Sequence, residues 1–379
     1  MKILQLGKFY PIRGGVEKVM WDLSRGLNAR GVHCDMLCAM LSSDSIDEMD
    51  ISRASVSGAV RTIAFPGSGL CYCVKAIWKL ASTMISPEMV SWLRRHAEEY
   101  DIIHIHHPDP MACVALMLSG YKGKVVLHWH SDILRQKALL HLYLPLQKWL
   151  VRRADTVVCT SLPYLIGSEA LECARSKAVC LPIGIDDNIR SGETPEREVR
   201  TVFAVGRLVE YKGFRYLVES AKYLPDNYRI IIGGTGPLRD ELQSLIISGN
   251  LVGKVVLAGY LSDEELRLRY NRCDVFVLSS IMKTEAFGIV QIEAMSCCKP
   301  VVATRIEGSG TAWVNEDGVS GLNVPIKDPK AIAGAILAIC SDRDVYANFS
   351  ACARKRYLDN FTLDKMVSGA LDIYEKCMQ

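Results

Sequence analysis

The sequence lacks the patterns that mark several common classes of protein. None of its 14 cysteines forms a Cys-x-x-Cys pair, so we expect no zinc cage and predict scattered, reduced core thiols in a cytosolic protein. No apolar run reaches the length of about 18 residues that a membrane-spanning helix needs. The amino terminus has no signal-peptide pattern and is predicted to form a strand. A net charge of +3 gives no indication of a nucleic-acid partner.

What the chain has is length and apolar content. Its 379 residues are 49% hydrophobic and 23% charged, which is enough for two or three domains with packed cores. Strand patterns alternate with helical patterns in both halves, which predicts an α/β protein with two doubly wound parallel sheets. Residues 181–198 are rich in proline, glycine and charge and are taken as the linker. We therefore predict domains over 1–187 and 198–358, which would enclose a cleft.

The first half is predicted to contain a parallel sheet and one long polar loop. The predicted strands begin near Lys2, Val32, Arg61, Asp101, Lys124 and Thr156. Residues 41–60 are polar and irregular and are predicted to form a surface loop. Gly14 and Gly15 follow the first strand and open a helix, so that backbone could approach a diphosphate there. A plain strand-to-helix turn would explain the same two glycines.

Several polar residues fall at or near the carboxyl ends of these strands, where doubly wound sheets bind ligands. They are His106, His107, His128, His130 and Ser161. A metal site is one interpretation of the histidines, but their spacing across separate strands does not establish one. Structural histidines satisfied by hydrogen bonds are the alternative for His104, His106 and His128. His130 stands out because Ser131 and Asp132 follow it where the strand should end.

Two segments of the first half are amphipathic and basic. One runs from Tyr72 to Met84, with the sequence LRRH following Trp92, and the other runs from Ile133 to Val151 and ends in two arginines. Basic amphipathic surfaces of this kind can lie on an anionic membrane. A core-facing helix with a solvated basic edge would give the same pattern.

The second half places cationic and glycine-rich motifs after successive strands. Gly206 and Arg207 end its first strand, and Lys212 lies in the loop beyond. An arginine and a lysine beside a helix N-terminus can clamp a diphosphate. Gly236 belongs to a tight turn after the next strand, and the pair Tyr260-Leu261 follows a third strand and could lie against a nucleobase.

The most informative stretch is residues 279–300. It follows an apolar strand and becomes a helix at Gly288, so free backbone N–H groups and the helix dipole should favour a phosphate there. Glu285 precedes the helix and Glu293 lies on its second turn. Carboxylates beside a phosphate site are suited to accept hydrogen bonds from hydroxyls of the same ligand. The stretch therefore predicts a sugar–phosphate or nucleotide–sugar site.

Together these motifs resemble the retaining family 4 glycosyltransferases, which have the GT-B fold, over nearly the whole chain. The resemblance rests on Gly14-Gly15-Val16-Glu17, Gly206-Arg207 with Lys212-Gly213, Gly233 to Pro237, and the block from Glu285 to Glu293. That last block matches the family's E-x7-E motif and includes the central Phe-Gly. Within the family the chain looks most like bacterial mannosyltransferases that build O-polysaccharide or capsule. Residues 309–314 and 318–322 add to this resemblance.

The resemblance implies a role for each matching residue. The catalytic residues would be His130, beside the transferred sugar, Arg207 and Lys212, on the donor diphosphate, and Glu285, on the donor-sugar hydroxyls. The remaining donor-binding residues would be Gly15, Gly236, Tyr260, Leu261, Phe287, Gly288, Ile289, Val290 and Glu293, the last of them on the nucleotide ribose. The first domain would be the acceptor side, the second would bind the nucleotide sugar, and the C-terminal helix, 361–379, would cross back to the first.

The function implied is transfer of mannose from GDP-mannose, with retention, onto a lipid-linked saccharide in O-antigen or capsule synthesis, on the cytoplasmic face of the inner membrane. The partners would be the nucleotide sugar, that acceptor and the anionic membrane surface, with no metal or other cofactor and no nucleic acid. Three alternatives stay open. They are a UDP-sugar donor, a sugar-nucleotide epimerase or hydrolase on the same fold, and an inactive partner in a polysaccharide assembly complex.

Overall fold

A computed structural model describes residues 1–12, 14–45, 48–57, 60–80, 83–133, 137–187 and 199–379. The chain divides into two compact units. The first consists of Met1–Gly184 together with Leu363–Gln379, and the second consists of Ile185–Thr362. The C-terminal residues thus belong to the unit that the N-terminal residues form.

The first unit is built on a nine-stranded sheet. Numbered in chain order, its strands are β1 (Lys2–Phe9), β2 (His33–Leu41), β3 (Ala54–Ser57), β4 (Val60–Ala64), β5 (Leu70–Ala76), β8 (Ile102–His107), β9 (Lys124–Trp129), β10 (Thr156–Cys159) and β11 (Ala178–Cys180). A separate hairpin contains β6 (Trp78–Leu80) and β7 (Thr83–Ile85). The sheet order is β11-β10-β9-β8-β1-β2-β5-β4-β3. Most residues of β1, β2, β8 and β9 are buried, so the unit's core lies on both faces of these central strands.

Three expectations for this unit are wrong in detail. Strand β4 pairs antiparallel with both β3 and β5, because the connections on either side of it are too short for a crossover helix. The stretch 41–60, predicted as a loop, contains a 3₁₀ helix at Glu48–Arg53 and strand β3. The core-facing helix considered for the basic segment from Tyr72 to Met84 is wrong, because the segment forms most of β5 and the β6–β7 hairpin. Its pattern of Cys71 and Cys73 buried around a half-exposed Tyr72 has the period of a strand.

The helices of the first unit connect and cover this sheet. They are α1 (Gly15–Ala29), α2 (Pro87–His96), α3 (Pro110–Ser119), α4 (Lys137–Arg153), α5 (Leu162–Gly167) and the C-terminal α13 (Leu363–Met378). Helix α13 packs on α1, where Val367 lies against Gly26. Among the helices that the structure describes, none is both long and apolar enough to span a bilayer.

The second unit is a six-stranded, all-parallel sheet in the order β14-β13-β12-β15-β16-β17. Its strands are β12 (Arg200–Val205), β13 (Tyr228–Gly233), β14 (Val255–Gly259), β15 (Val275–Leu278), β16 (Val301–Arg305) and β17 (Gly321–Pro325). Counted from the first strand of the unit, this is the order 3-2-1-4-5-6 of a doubly wound nucleotide-binding sheet. The doubly wound architecture predicted for both halves is confirmed, although the short edge strand β17 is not predicted from the sequence.

Helices flank this second sheet. They are α6 (Phe214–Ser220), α7 (Arg239–Ser248), α8 (Asp263–Arg272), α9 (Ile289–Ser296), α10 (Thr311–Val314), α11 (Pro329–Ile339) and α12 (Arg343–Asn360). The large buried rings of Phe203, Tyr270 and Phe276 pack together beneath one face, with Phe203 lying edge-on to Tyr270 at 5.3 Å between ring centres. This packing holds α8 against β12 and β15, the two central strands.

Candidate active site

The second unit has one topological switch point, between β12 and β15. The two strands pair in parallel through Val202–Val275 and Phe203–Phe276. The chain leaves β12 toward one side of the sheet and leaves β15 toward the other. A crevice therefore opens at their carboxyl ends, which is where doubly wound sheets bind ligands. The loops that follow these two strands, together with helix α9, carry most of the predicted site residues.

A buried ion pair, Lys212 with Glu285, lies at this switch point and is called the switch-point pair below. The Lys212 Nζ donates to Glu285 Oε2 at 2.5 Å, and Ser280 Oγ donates to the same oxygen at 2.8 Å. Each side chain of the pair is only 11% exposed. The sequence predicts both residues as site residues, and the structure brings them into direct contact.

Electrostatics keep the switch-point lysine charged. Burial by itself lowers the pKa of Lys212, but the attraction of Glu285 and of Tyr211 outweighs it, so the pKa of the ammonium is raised above its ordinary value. Glu293 contributes to the same shift from farther away. A buried ammonium that stays protonated is suited to meet an anion.

Close approach of two loops builds the pair. Ile281 N donates to Tyr211 O at 2.8 Å and Ser279 Oγ donates to Lys212 O at 2.9 Å, which ties the loop after β15 to the loop after β12. Gly213 sits at φ +63°, and a Cβ there would overlap the carbonyl oxygen of Ser279. Glycine is therefore required for the loops to meet, and this sets the position of Lys212.

Helix α9 begins beside the pair. Gly288 is its N-cap residue in a left-handed conformation at φ 78°, and no side chain caps the helix. The first helical residues, Ile289 and Val290, are half-exposed. Uncapped N–H groups at the positive end of a helix dipole make a site for an anion. The Gly288 to Val290 segment thus has the geometry expected of a phosphate contact.

Glu293 lies on the second turn of α9 and is held by a residue that the sequence does not reveal. Tyr270 of α8 donates its hydroxyl hydrogen to Glu293 Oε2 at 2.6 Å. Burial and then the neighbouring carboxylate raise the pKa of Tyr270, so this phenol stays a hydrogen-bond donor. A lone tyrosine in a helix carries no sequence signal for this contact, since only the packing of α8 against α9 creates it.

The other predicted residues of this unit occupy different environments. Arg207 and Tyr260 are exposed, and the Tyr260 side chain is 78% exposed at the end of β14. The carboxylates that the structure describes form no ion pair with Arg207, in contrast to Lys212. Gly236 packs against the backbone of Leu208, and Leu261 lies against Gly233. These residues line the same edge of the sheet as the switch-point pair.

Phe287 has a packing role in the structure. Its ring is buried and lies edge-on to Phe361, with ring centres 5.8 Å apart. Trp313 contacts the same Phe361 ring in a similar way. The ring of Phe287 therefore anchors the loop before α9 in the core, which leaves its backbone as the part that could reach a ligand.

The first unit contains a separate polar cluster at the ends of β8 and β9. His104, His106, His128 and His130, called the histidine cluster below, are all buried. Their rings stack, with centres 4.1 to 5.3 Å apart and nearly parallel planes. Ligand nitrogens of three of them, His104, His106 and His128, lie within 4.8 Å of one another. Stacked rings point their in-plane lone pairs side by side, which does not favour convergence on one ion.

Hydrogen bonds fix the tautomer of His130. The amide oxygen of Gln5 can only accept, so His106 donates to it from Nε2 at 2.7 Å. In a neutral imidazole the other nitrogen is then an acceptor, and His130 donates to His106 Nδ1 from Nε2 at 2.8 Å. Nδ1 of His130 is thereby the lone-pair nitrogen. Gln5 is held in turn because its amide nitrogen donates to the hydroxyl oxygen of Tyr374, at 3.1 Å, so α13 supports the chain of bonds.

Burial keeps these imidazoles neutral. It is the largest cause that lowers the pKa of every member of the histidine cluster, and neighbouring imidazoles lower the pKa of His104, His106 and His130 further. The pKa of His128 is lowered to about 3. The interpretation of structural histidines satisfied by hydrogen bonds holds for His106, but among the described residues neither nitrogen of His128 has a partner.

Two other predicted residues of the first unit sit at helix starts. Gly15 is the first residue of α1, whose N-cap, Gly14, has an extended backbone and provides no side-chain cap. Ser161 caps α5 by accepting from Tyr164 N at 3.4 Å. Asp132 accepts from the indole nitrogen of Trp129 at 2.9 Å, so the residues after His130 are anchored to the strand that precedes them.

Two family models together match almost the whole chain. The model described as Glycosyltransferase Family 4 matches residues 13–188, and the one described as Glycosyl transferases group 1 matches residues 186–356. The boundary between the two matches falls close to the division between the two structural units.

Curated relatives and solved structures agree with these matches. The chain is 28% identical to the O-antigen chain mannosyltransferase C of Escherichia coli, covering 100% of this chain and 99% of that protein. It is 29% identical to the D-rhamnosyltransferase WbpZ of Pseudomonas aeruginosa, and the match covers 96% of this chain and 92% of that protein. Anabaena HepE in complex with UDP and glucose has a TM-score of 0.76 at 20% identity, covering 99% of both chains. Sucrose-phosphate synthase of Thermosynechococcus elongatus has a TM-score of 0.77 at 21% identity, and the match covers 99% of both chains.

Proposed function

This chain belongs to the family 4 glycosyltransferases of GT-B fold, and on that premise we propose that it moves mannose from GDP-mannose, with retention, onto a lipid-linked saccharide during assembly of a bacterial surface polysaccharide such as O-antigen. At the coarser level the chain is a hexosyltransferase of bacterial polysaccharide biosynthesis. The donor, the stereochemistry, the acceptor and the individual residue roles belong to the proposal.

The observation that carries the proposal is the switch-point pair beside the start of α9. The Lys212 ammonium has three N–H donors. Glu285 takes one, so two remain for phosphate oxygens. Both donors described on Glu285 act on Oε2, which leaves Oε1 able to accept from a hydroxyl of the donor sugar. One buried pair can therefore hold the diphosphate with one partner and the sugar with the other.

The reaction breaks the bond between the anomeric carbon and the diphosphate oxygen. Negative charge then grows on the departing nucleoside diphosphate. In the proposed mechanism Lys212, the exposed Arg207 and the first N–H groups of α9 stabilise that charge as it develops. We propose attack by the acceptor hydroxyl on the same face of the sugar, with its proton passing to the leaving phosphate, which gives retention. The second unit needs no metal for this step.

Two candidate donors have support. The names of the E. coli and P. aeruginosa relatives indicate mannose and the related 6-deoxy sugar rhamnose. They favour GDP-mannose as the donor. Anabaena HepE, of the same fold, is solved with UDP and glucose, which makes a UDP-sugar the second candidate. On either donor, the proposal assigns Glu293, held by Tyr270, to accept from ribose hydroxyls.

We also propose that the protein works against an anionic membrane. The β6–β7 hairpin exposes Ile77, Trp78 and Leu80, each 56 to 57% exposed, with the exposed Lys75 nearby. Apolar and aromatic tips beside lysines suit the interface of an anionic bilayer. The second basic segment has a core-facing side, since Tyr143, Gln147, Leu150 and Val151 of α4 are buried. Residues 134–136 of that segment lie outside the described residues.

The function is tested by incubating the protein with a panel of nucleotide sugars and a polyprenyl-diphosphate saccharide acceptor, followed by product mass and the anomeric configuration by NMR. A mannosylated product from GDP-mannose with retained configuration is expected. Release of free mannose or an epimer without acceptor would instead identify a hydrolase or epimerase, and no turnover with any donor would indicate an inactive partner.

The membrane proposal has its own test. Cosedimentation with vesicles of anionic lipid at low salt should fall several-fold in Trp78→Glu. Val56→Glu, an exposed apolar residue on edge strand β3, is the matched control and should bind as the unaltered protein does. Equal binding of both variants, or no binding of the unaltered protein, would contradict this role of the hairpin.

A further inference from the structure

Three cysteine thiols meet in the core of the first unit. They belong to Cys38, Cys71 and Cys73 and are called the thiol triad. The Sγ–Sγ distances are 3.6 Å for Cys38–Cys73, 3.8 Å for Cys38–Cys71 and 3.8 Å for Cys71–Cys73. The three sulfurs thus form a nearly equilateral triangle, and all three residues are at most 2% exposed.

The sheet register creates the triad. Strands β2 and β5 pair in parallel, with Cys38 opposite Cys73 and Met36 opposite Cys71. Side chains two residues apart on a strand share a face. Cys71, Cys73 and Cys38 therefore project from the same side of the sheet. Cys38 lies far from Cys71 and Cys73 in the sequence, so only the pairing of these strands brings the three together.

The size of the triangle matches a metal–thiolate site. A Zn–S bond is about 2.3 Å long, so the sulfurs at two corners of a Zn–thiolate tetrahedron lie about 3.8 Å apart. The triad already has these separations and forms one face of such a tetrahedron with little rearrangement. A disulfide, by contrast, requires two sulfurs at about 2.05 Å and would leave the third thiol outside the bond.

The surroundings are rich in soft ligands and lead to solvent. Met20, Met36 and Met40 belong to the same buried cluster as the triad. Cys73 and Met40 also line a cavity of about 170 Å³, together with Arg61 and Lys75. The cavity provides an entry path and room for a fourth ligand, either water or the Met40 thioether. The two cations lie where they can balance the negative charge of three thiolates.

We propose that Cys38, Cys71 and Cys73 bind one thiophilic d¹⁰ cation, Zn²⁺ or Cu⁺, which joins strands β2 and β5. Binding converts three thiols into three metal–sulfur bonds and releases three protons to solvent through the cavity. No electron is transferred. Soft thiolate and thioether ligands select these two ions over Mg²⁺ or Ca²⁺. The site is structural and independent of the donor site, so its failure would leave the proposed function untouched.

The test uses the full chain in a Cys173→Ser/Cys180→Ser background, which removes the two exposed thiols. Reduced, metal-free protein is titrated with Cd²⁺, a spectroscopic stand-in for Zn²⁺, and the ultraviolet thiolate-to-metal band is followed. Zn²⁺ and Cu⁺ are then added in separate competition arms to distinguish the two ions. We expect one equivalent of Cd²⁺, displaced by at least one of them, and slower amide exchange in β2 and β5 when metal is bound.

The matched variants are Cys71→Ser and Cys159→Ser, since Cys159 is also buried in the first unit but lies outside the triad. Cys71→Ser should lower the metal affinity by more than the roughly 10- to 100-fold that losing an outer-shell partner costs, and Cys159→Ser should leave it unchanged. If Cys71→Ser fails to fold, the exchange measurement on the unaltered triad decides. Absence of a Cd²⁺ band, equal loss in both variants, or a disulfide formed in place of binding would overturn the proposal.

Discussion

The two units bury polar groups at the ends of their central strands in opposite ways. In the first, the histidine cluster is neutral, His106 donates a hydrogen bond to Gln5, and His104 is hydrogen-bonded with Tyr374. In the second, Lys212 and Glu285 are charged and paired. Burial disfavours charge in both places, but only the second provides a counter-ion. The comparison separates a cluster that can orient a hydroxyl-bearing ligand from one that can stabilise developing charge.

Histidine content makes this difference measurable. All eight histidines of the chain lie before residue 142, in the first unit, and the second unit has none. The pKa values of the histidine cluster and of His107 are lowered by burial. In the switch-point pair the pKa of Lys212 is raised above its ordinary value, so mild acid leaves its ammonium charged. Mild acid should therefore act on one unit and spare the other.

The largest expected effect is selective acid destabilisation of the first unit. An unfolded histidine takes up a proton below about pH 6.5, whereas the five buried ones resist it, so the unfolded state binds more protons as the pH falls. Each buried histidine lowers the free energy of unfolding by about 1.4 kcal/mol per pH unit, between about pH 6.5 and its lowered pKa in the folded state. That pKa is about 3 for His107 and His128. Hydrogen exchange between pH 7 and 5 should show β8 and β9 opening first. An equal loss of protection from hydrogen exchange in β12 and β15 would contradict this prediction.

The second prediction concerns the lysine of the switch-point pair. Lys212→Ala should lower kcat by about 100- to 1000-fold, or 2.7–4 kcal/mol, because a preorganised donor to the leaving group is lost. Steady-state kinetics with the donor that the nucleotide-sugar panel selects measures this. Lys222→Ala, an exposed lysine of the same unit, should have wild-type activity.

A double variant distinguishes chemistry from folding at this position. Removing Lys212 alone leaves a buried carboxylate unpaired, which costs stability as well. Lys212→Met/Glu285→Gln removes both charges and should recover the urea midpoint without recovering activity. If it recovers activity too, the pair has only a structural role.

The third prediction concerns Gln5, whose amide oxygen accepts a hydrogen bond from His106 of the histidine cluster. Gln5→Leu removes the acceptor that fixes His106, so His130 no longer has a single tautomer. One hydrogen bond of about 1 kcal/mol corresponds to roughly a fivefold loss of kcat. Nitrogen-15 NMR should show mixed Nδ1–H and Nε2–H signals for His130 in the variant. Single-tautomer signals with unchanged kcat would contradict this role of Gln5.

A smaller effect is expected from Tyr270→Phe in the second unit. The change removes the hydroxyl that donates to Glu293 at 2.6 Å and leaves the ring packing intact. Nucleotide affinity should fall about fivefold, since a bond of about 1 kcal/mol no longer holds the ribose acceptor. Calorimetry with the nucleoside diphosphate checks it, and a ribose-lacking diphosphate such as pyrophosphate should bind unchanged.

Local motifs in the sequence predict much of the second unit. Gly213, Glu285 and Gly288 follow predicted strands in a pattern that predicts a phosphate-binding switch point. Their positions follow from strand order, which alternation of strands and helices already predicts. What the sequence could not supply is the contact between Tyr270 and Glu293, because it depends on how two helices pack.

The first unit was harder to predict for a physical reason. Its basic segment near Trp78 has charge and apolar residues at spacings that fit a helix or a strand, and tertiary pairing with β2 decides in favour of strands. The thiol triad joins Cys38 to residues more than 30 positions away through strand pairing. Scattered cysteines and histidines carry no spacing signal, so their meeting is a property of the sheet alone.

The central claim is that Lys212 recognises the diphosphate of the donor. It is tested most directly by calorimetric binding of GDP and GMP to the unaltered protein and to Lys212→Met/Glu285→Gln, with UDP and UMP in parallel to identify the base. The account predicts that the variant loses affinity for the diphosphate about tenfold or more while the monophosphate is little affected. Equal loss for GDP and GMP, or no loss for either, would contradict it.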